Sequence, residues 1–562
     1  MEFVADSRIV NTNSNSKVPQ NTITHPPWYS SKTGTYNSTH SPRNLPTDPF
    51  LDVVSFIFSH PHDGVMALID SLSGSSIAYS NLFPLVKSMA SGLRKMGVSQ
   101  GDVVLLLLPN SIYYPIVLLG VMYLGAVVTP LNPLSSVAEI RKQANERGVS
   151  FAFTIPENVK KLESFSIPNI IVPQNEKDIK YNCFSCFFNL IFGNSDLAQR
   201  PVIKQEDTAG IWYSSGTTGV SKGVVLTHGN LIAMVELGVR FQASQYEYSF
   251  SKNVFLAALP MFHIYGLSFA ATGLLSLGST VVVMRKFDID EAVRVIHKYN
   301  VTQFDVVPPI LVALIAKAKG VNGSKLQSLR HILSGAAPLT AKIINDFVQV
   351  FPNVDLIQGY GMTESAGIGC RGFNTEKFRK YSSLGLLAPN MEASVVDLNT
   401  GALLPPGRRG ELWLRGPSIM KGYLNNEEAT MLSINKDGWL NTGDIVYFDE
   451  DGYLYLCDRM KDMIKFKGCQ IAPADLEAVL ILHPEIVDVA VVGFKDEEAG
   501  EIPVAFVVKK VGSVLSMKNV IDHVAEQVAP YKKVRKVVFT DKIPRSITGK
   551  ILRRQLGNDL SA

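Results

Sequence analysis

Cysteine is scarce in this chain of 562 residues: five in all, too few for a disulfide framework, and a reducing compartment fits. Cys183 and Cys186 form a C-x-x-C pair, but no second pair stands at zinc spacing and their surroundings, CFSCFFNLIF, are apolar. Two buried thiols are therefore expected there, rather than a metal or redox site. A dominant charge is also missing. With 54 basic and 50 acidic residues the net charge is +4, which excludes the concentrated positive surface of a nucleic-acid platform and leaves small molecules as the default partners. The longest apolar stretch, Ile112 to Leu131, approaches bilayer length, yet Pro115 and Gly125 interrupt it and a buried-strand pattern, LLLLPN, runs into it. A buried helix of an α/β core is expected, not a membrane span. The first 48 residues lack the basic start and apolar run of a secretory signal. Rich in Ser, Thr, Asn and Pro, they read as a disordered leader. No internal repeat is visible.

What is present is length and alternation. A chain of 562 residues exceeds what a single hydrophobic core supports, so at least two domains are expected. From Leu51 onward, apolar strand candidates such as 103–108, 210–213, 254–258, 280–284 and 304–307 alternate with helical patterns such as Ile289 to Tyr299. After Asp444, two β-type stretches lead into the charged DRMKDMIKFKG and then a smaller α+β block. The reading is a leader at 1–48, an α/β multi-sheet N-terminal domain at 49–458, and a small, mobile α+β C-terminal domain at 459–562, with a hinge near Lys461.

Between Tyr213 and Gly223 the chain reads YSSGTTGVSKG. Glycines permit close backbone approach, hydroxyls donate hydrogen bonds and Lys222 adds a point charge, so the segment suits a polyphosphate. It is not a Walker A loop, because Gly223 follows the lysine and a strand-like VVLTH comes next. QGYGMTES puts Glu364 on a glycine turn, where a carboxylate beside a phosphate loop can hold Mg²⁺; a solvated turn is the plain alternative. NTGD offers Asp444 to a ribose diol. DRMKDMIKFKG and IPRSITGK carry basic residues that a solvated face or a helix cap would also explain.

Taken in order, YSSGTTGVSKGVVLTH, PMFHIYGL, SGAAPL, QGYGMTE, GELWLRGPSIMKGY, TGD, DRMKDMIKFKG and PRSITGK resemble the core motifs of the adenylate-forming superfamily, which includes acyl-CoA synthetases and luciferases. The resemblance runs from about Leu51 to Leu556. FHIYGL, SGAAPL, QGYGMTES and KFKGCQIAPADLE look most like the plant 4-coumarate:CoA ligase-like branch.

That resemblance implies an AMP-forming carboxylate–CoA ligase of phenylpropanoid type, using ATP, Mg²⁺ and coenzyme A. Ser214, Ser215, Gly216, Thr217, Thr218 and Lys222 would hold the β and γ phosphates, and Glu364 the metal. Gln358, Gly359 and Thr363 would position adenine and the α-phosphate, Asp444 and Arg459 the ribose. Lys550 would serve adenylation. Rotation about Lys461 would replace it with Lys465, Lys467, Gly468 and Gln470 for thioester formation, with Lys286 toward the coenzyme A phosphates. His263 would border the carboxylate; Tyr265, Phe269, Gly335 and Ala336 would wall the acyl pocket. The leading acid is 4-coumarate, with fatty or cyclic oxylipin acids as the alternative and a CoA-independent, luciferase-like enzyme as the rival of different class. A monomer, in cytosol or peroxisome, is implied. The chain departs from the branch at Ser221, at its terminal Leu-Ser-Ala, which is no peroxisomal tripeptide, and at Arg371, where 4-coumarate:CoA ligases carry an apolar pocket residue.

Overall fold

The apolar runs of the sequence become the inner strands of two sheets. The computed structural model describes residues 26–174, 182–193, 200–214, 222–246, 249–320, 323–372, 379–466, 469–496, 499–528, 530–546 and 549–559. Val103–Leu106 lies between parallel neighbours Val127–Pro130 and Val149–Thr154 in a seven-stranded sheet. Thr208–Ser214 and Lys222–Thr227 extend that sheet as an antiparallel pair, so the loop joining them leaves from a fixed strand end. A nine-stranded sheet has a parallel centre that includes Val254–Ala257, Gln303–Val306, His331–Ser334 and Asp355–Tyr360. Parallel strands are covered on both faces, which is why they read as continuous apolar runs rather than as alternation.

The covering helices follow local rules. Ile289–Tyr299 forms where its periodicity predicts: the Asp288 carboxylate accepts from the Glu291 amide at its start, Asn300 closes it at φ 51°, and Ala292, Val293, Val295 and Ile296 face the core. The apolar stretch from Ile112 divides at Gly125, whose φ of 78° ends the helix Tyr114–Tyr123 and frees Val127–Pro130 to enter the sheet. Among the described residues no helix is long and apolar enough to cross a membrane.

A third sheet, six-stranded and antiparallel, runs from Tyr29–Ser30 and Thr35–Asn37 through Glu392–Val396, Gly410–Arg415 and Leu440–Phe448 to Leu454–Arg459. The expected leader is corrected here. Residues 26–48 are described, and Tyr36 is fully buried, stacked on Phe448 with ring centroids 4.5 Å apart. An aromatic set among polar residues can anchor a strand that composition alone assigns to a leader. After the single turn Met460–Asp462 comes a fourth sheet of Cys469–Ile471, Ile464–Phe466, Gly500–Lys509, Ile486–Asp496 and Lys536–Phe539. It has an apolar core of its own, around Ile464, Leu476, Val491 and Val507. A further correction concerns Cys183 and Cys186, which are exposed rather than buried: the helix Ser185–Phe192 turns Phe187, Phe188, Leu190 and Ile191 inward and leaves the cysteines outside.

Candidate active site

Strand ends and one C-terminal hairpin enclose a cavity of about 740 Å³. A buried amide sets one wall. Asn110 donates to the Leu259 and Met284 carbonyls at 2.8 and 3.2 Å and accepts from the Met261 amide at 2.8 Å, fixing the segment that carries His263. His263 caps the short helix Ile264–Gly266, its Nδ1 accepting from the Tyr265 amide at 3.3 Å. The ring proton therefore sits on Nε2. Burial pushes the imidazole down to about 4, so His263 meets the cavity as a neutral hydrogen-bond donor, not a cation.

The nucleotide side is built from paired charges. Asp444 and Arg459 are register partners on adjacent strands, with Arg459 Nε 3.2 Å from Asp444 Oδ1. The Tyr360 hydroxyl donates to Asp444 Oδ2 at 2.7 Å. Burial, with Asp444 next to it, holds that phenol far above its usual range and so fully protonated. Glu364 lines the same cavity and accepts from the Tyr423 hydroxyl at 3.0 Å, while Lys222 lies 4.7 Å from the centre of the Tyr423 ring. One aromatic thus links the loop lysine to the carboxylate. No group of three His, Cys, Asp or Glu side chains gathers among the described residues to cage a metal. A lone carboxylate such as Glu364 fits Mg²⁺, which binds through one or two carboxylates and substrate phosphates.

The remaining expected residues divide into those at the cavity and those away from it. Ser214, Gly359, Thr363, Tyr265, Phe269, Gly335, Ala336, Arg371 and Lys550 all line it. Gly335 is tightly placed, because a Cβ there would stand 3.1 Å from the Tyr265 ring and the ring would have to give slightly, and Ala336 holds the left-handed φ of 67° at the turn. Lys550 arrives on a hairpin in which the Lys550 amide donates to Ser546 Oγ at 3.2 Å and the Ser546 amide donates to the Lys550 carbonyl at 2.8 Å. Lys286 and Lys465 are exposed and do not line the cavity. Lys461 lies in the turn between the last two sheets, and Gln470 is the register partner of Lys465. Ser215, Gly216, Thr217, Thr218, Lys467 and Gly468 lie outside the described residues.

Gln358 is a correction. Its side-chain amide donates to the Tyr381 carbonyl at 2.6 Å and accepts from the Leu339 amide at 3.3 Å, and it does not line the cavity, so its side chain ties two segments together. Tyr360 and Tyr423, which hold the two carboxylates, were absent from the sequence-based set. Both stood in quoted motifs, QGYGMTES and MKGY, and a buried tyrosine needs a partner for its hydroxyl.

Residues 59–424 match the AMP-binding enzyme family, and residues 475–550 match the AMP-binding enzyme C-terminal domain. Over 540 residues the chain is 57% identical to "4-coumarate--CoA ligase-like 6" of Arabidopsis thaliana, covering 95% of this chain and 94% of that protein. Over 526 residues it is 44% identical to "Peroxisomal OPC-8:0-CoA ligase 1" of the same plant, covering 93% and 95%. Among solved structures it is similar to ATP-bound MatB from Rhodopseudomonas palustris, with a TM-score of 0.82 at 25% identity over 90% of this chain and 98% of that one.

Proposed function

The chain belongs to the AMP-binding enzyme family, and from that premise we propose that it joins a carboxylic acid to coenzyme A with cleavage of ATP to AMP and pyrophosphate. The observation that carries this reading is the meeting, in one cavity, of Lys550, Glu364 and the Asp444–Arg459 pair with the aromatic wall of Tyr265 and Phe269. In the first step a carboxylate oxygen attacks the α-phosphorus and pyrophosphate leaves. Lys550 neutralises the charge between carboxylate and α-phosphate, and Ser214 with residues 215–218 and Lys222 holds the departing phosphates. Glu364 would hold Mg²⁺, which would supply neutralising charge to the phosphates. Asp444 accepts from the ribose hydroxyls, kept in place by Tyr360 and Arg459. Gly359 and Thr363 flank the adenine and α-phosphate, and His263 donates from Nε2 toward the acid.

In the second step the thiol sulfur of coenzyme A attacks the acyl carbon, the carbon–oxygen bond to AMP breaks and the thiol proton is lost. Lys465, Lys467, Gly468 and Gln470 serve this step after the C-terminal domain, 459–562, turns about Lys461, while Lys286 meets the coenzyme A phosphates. The independent apolar core of that domain supports its moving as a body. The leading acid is 4-coumarate, supported by the aromatic wall of Tyr265 and Phe269 and by the names of the relatives. The similarity to an OPC-8:0-CoA ligase favours a second reading, a cyclic oxylipin or fatty acid, and a peroxisomal location. AMP release from a panel of hydroxycinnamates, benzoates, fatty acids and cyclic oxylipin acids, with and without coenzyme A, tests the proposal. Release that depends on coenzyme A is expected; CoA-independent turnover of every active acid would point to the luciferase-like class instead.

A further inference from the structure

A purely apolar acyl group leaves Arg371 unexplained. Arg371 stands in the short strand Cys370–Arg371, opposite Gly359 in antiparallel register, and its guanidinium lies 4.9 Å from the centre of the Phe269 ring in the cavity wall. Its Nε is buried and has no hydrogen-bond partner among the described residues. Leaving a buried donor unpaired is costly, so a folded protein that keeps one at a cavity is completed by what enters the cavity. Ser334 repeats the observation on the other side of the strand Asp355–Tyr360. Its hydroxyl is buried, lines the same cavity and also lacks a partner.

The surroundings of Arg371 indicate which ligand atom fits. Asp305 lies in a small separate space that the Tyr265 and Phe269 rings also line. Burial raises the Asp305 carboxyl to about 7 and the Arg371 charge opposes that rise, so the two groups feel each other across the aromatic wall. The same charge, after burial, helps to keep His331 neutral, pushed down to about 4. Arg371 thus shares part of its charge with Asp305 across the aromatic wall, while its Nε is left without a partner among the described residues. That combination suits a neutral acceptor better than a second anion.

We propose that Arg371 is a specificity-determining residue that receives a neutral oxygen, hydroxyl or carbonyl, on the part of the acyl group remote from the carboxylate. The enzyme then selects oxygenated acids over their unsubstituted counterparts. This rests on the ligase reading, since the acyl pocket is the one assigned there. Matched pairs test it: 4-hydroxycinnamate against cinnamate, and a mid-chain oxo-alkanoate against its parent alkanoate, with an α,ω-dicarboxylate of equal length as the charged control. For each pair, kcat/KM for AMP release is measured with the full-length enzyme and with Arg371→Met and Arg371→Lys. The wild type is expected to favour the oxygenated member of at least one pair by about 10- to 100-fold, the range of a hydrogen bond to a charged group. Arg371→Met collapses that ratio toward unity, and Arg371→Lys retains part of it. A ratio taken within one preparation is insensitive to the fraction folded. An equal ratio in Arg371→Met and wild type overturns the proposal, as does a dicarboxylate preferred over the neutral acids. Calorimetric binding of the same pairs to the AMP-loaded protein needs no turnover. Arg371-dependent preference in binding without turnover removes the ligase reading and keeps this one; turnover without preference does the reverse, and neither removes both.

Discussion

Lys550 and Lys465 lie 85 positions apart in the C-terminal part of the chain and occupy opposite situations. Lys550 lines the cavity on a hairpin closed by the Arg545–Ile551 bridge. Lys465 sits exposed on the strand Ile464–Phe466, where its amide donates to Glu501 Oε2 at 2.8 Å. Of the two cations, Lys550 lines the cavity and Lys465 does not. Under the proposed function, the arrangement with Lys550 inward would serve adenylation and thioester formation would ask for another. Gly549 packs the hairpin that carries Lys550 against Pro309. At φ 79° it packs so tightly on the proline pair at the head of Pro308–Ala318 that a Cβ would stand 2.5 Å from Pro309 Cδ.

The contrast can be broken from several sides. Lys465→Ala is expected to lower thioester formation from supplied acyl-adenylate about 100-fold, the scale of one lost electrostatic stabiliser, while pyrophosphate exchange persists. Equal losses in both assays would remove the division of labour. Gly549→Ala strains the hairpin and pushes it off Pro309, so adenylation should fall about tenfold and thioester formation much less, measured in the same two assays. Gly335→Ala presses the Tyr265 ring and should reduce kcat/KM several-fold, about 3-fold or more, for a ring-bearing acid relative to a short aliphatic one. A change shared by both acids would detach Gly335 from the acyl pocket.

The smallest effect concerns protonation. Burial holds His228, His263 and His331 each at about 4, below the usual histidine value of 6.5. Between those values the unfolded chain binds more protons than the folded one, so stability is full above 6.5 and declines as pH falls toward 4. Melting temperature followed from pH 7 to pH 4.5 should drop accordingly, with a shallower slope in His331→Phe.

Much of the site was legible because its chemistry sits in short polar motifs on a predictable alternation of strands and helices. Glu364, Asp444, Arg459 and Lys550 are charged residues at strand ends and turns, and all four reach the cavity. That the Gln358 side chain lies outside the lining has a geometric reason. Neighbouring strand residues face opposite sides, and the motif does not reveal which side of Asp355–Tyr360 is the cavity. Tyr423 and Asp305 escaped because Tyr423 bonds Glu364 across 59 positions of chain and Asp305 feels the charge of Arg371 across 66, which no local pattern encodes. The burial of Tyr36 was hidden similarly, its partner Phe448 lying in a strand far along the sequence.

The central claim is that one C-terminal domain presents different cations to one cavity in turn. Its most direct test supplies synthetic acyl-adenylate and coenzyme A to Lys550→Ala in a single-turnover assay, beside its ATP–pyrophosphate exchange. The account predicts exchange reduced at least about 100-fold with acyl-CoA formation near the wild-type rate. Comparable loss of both half-reactions would contradict it.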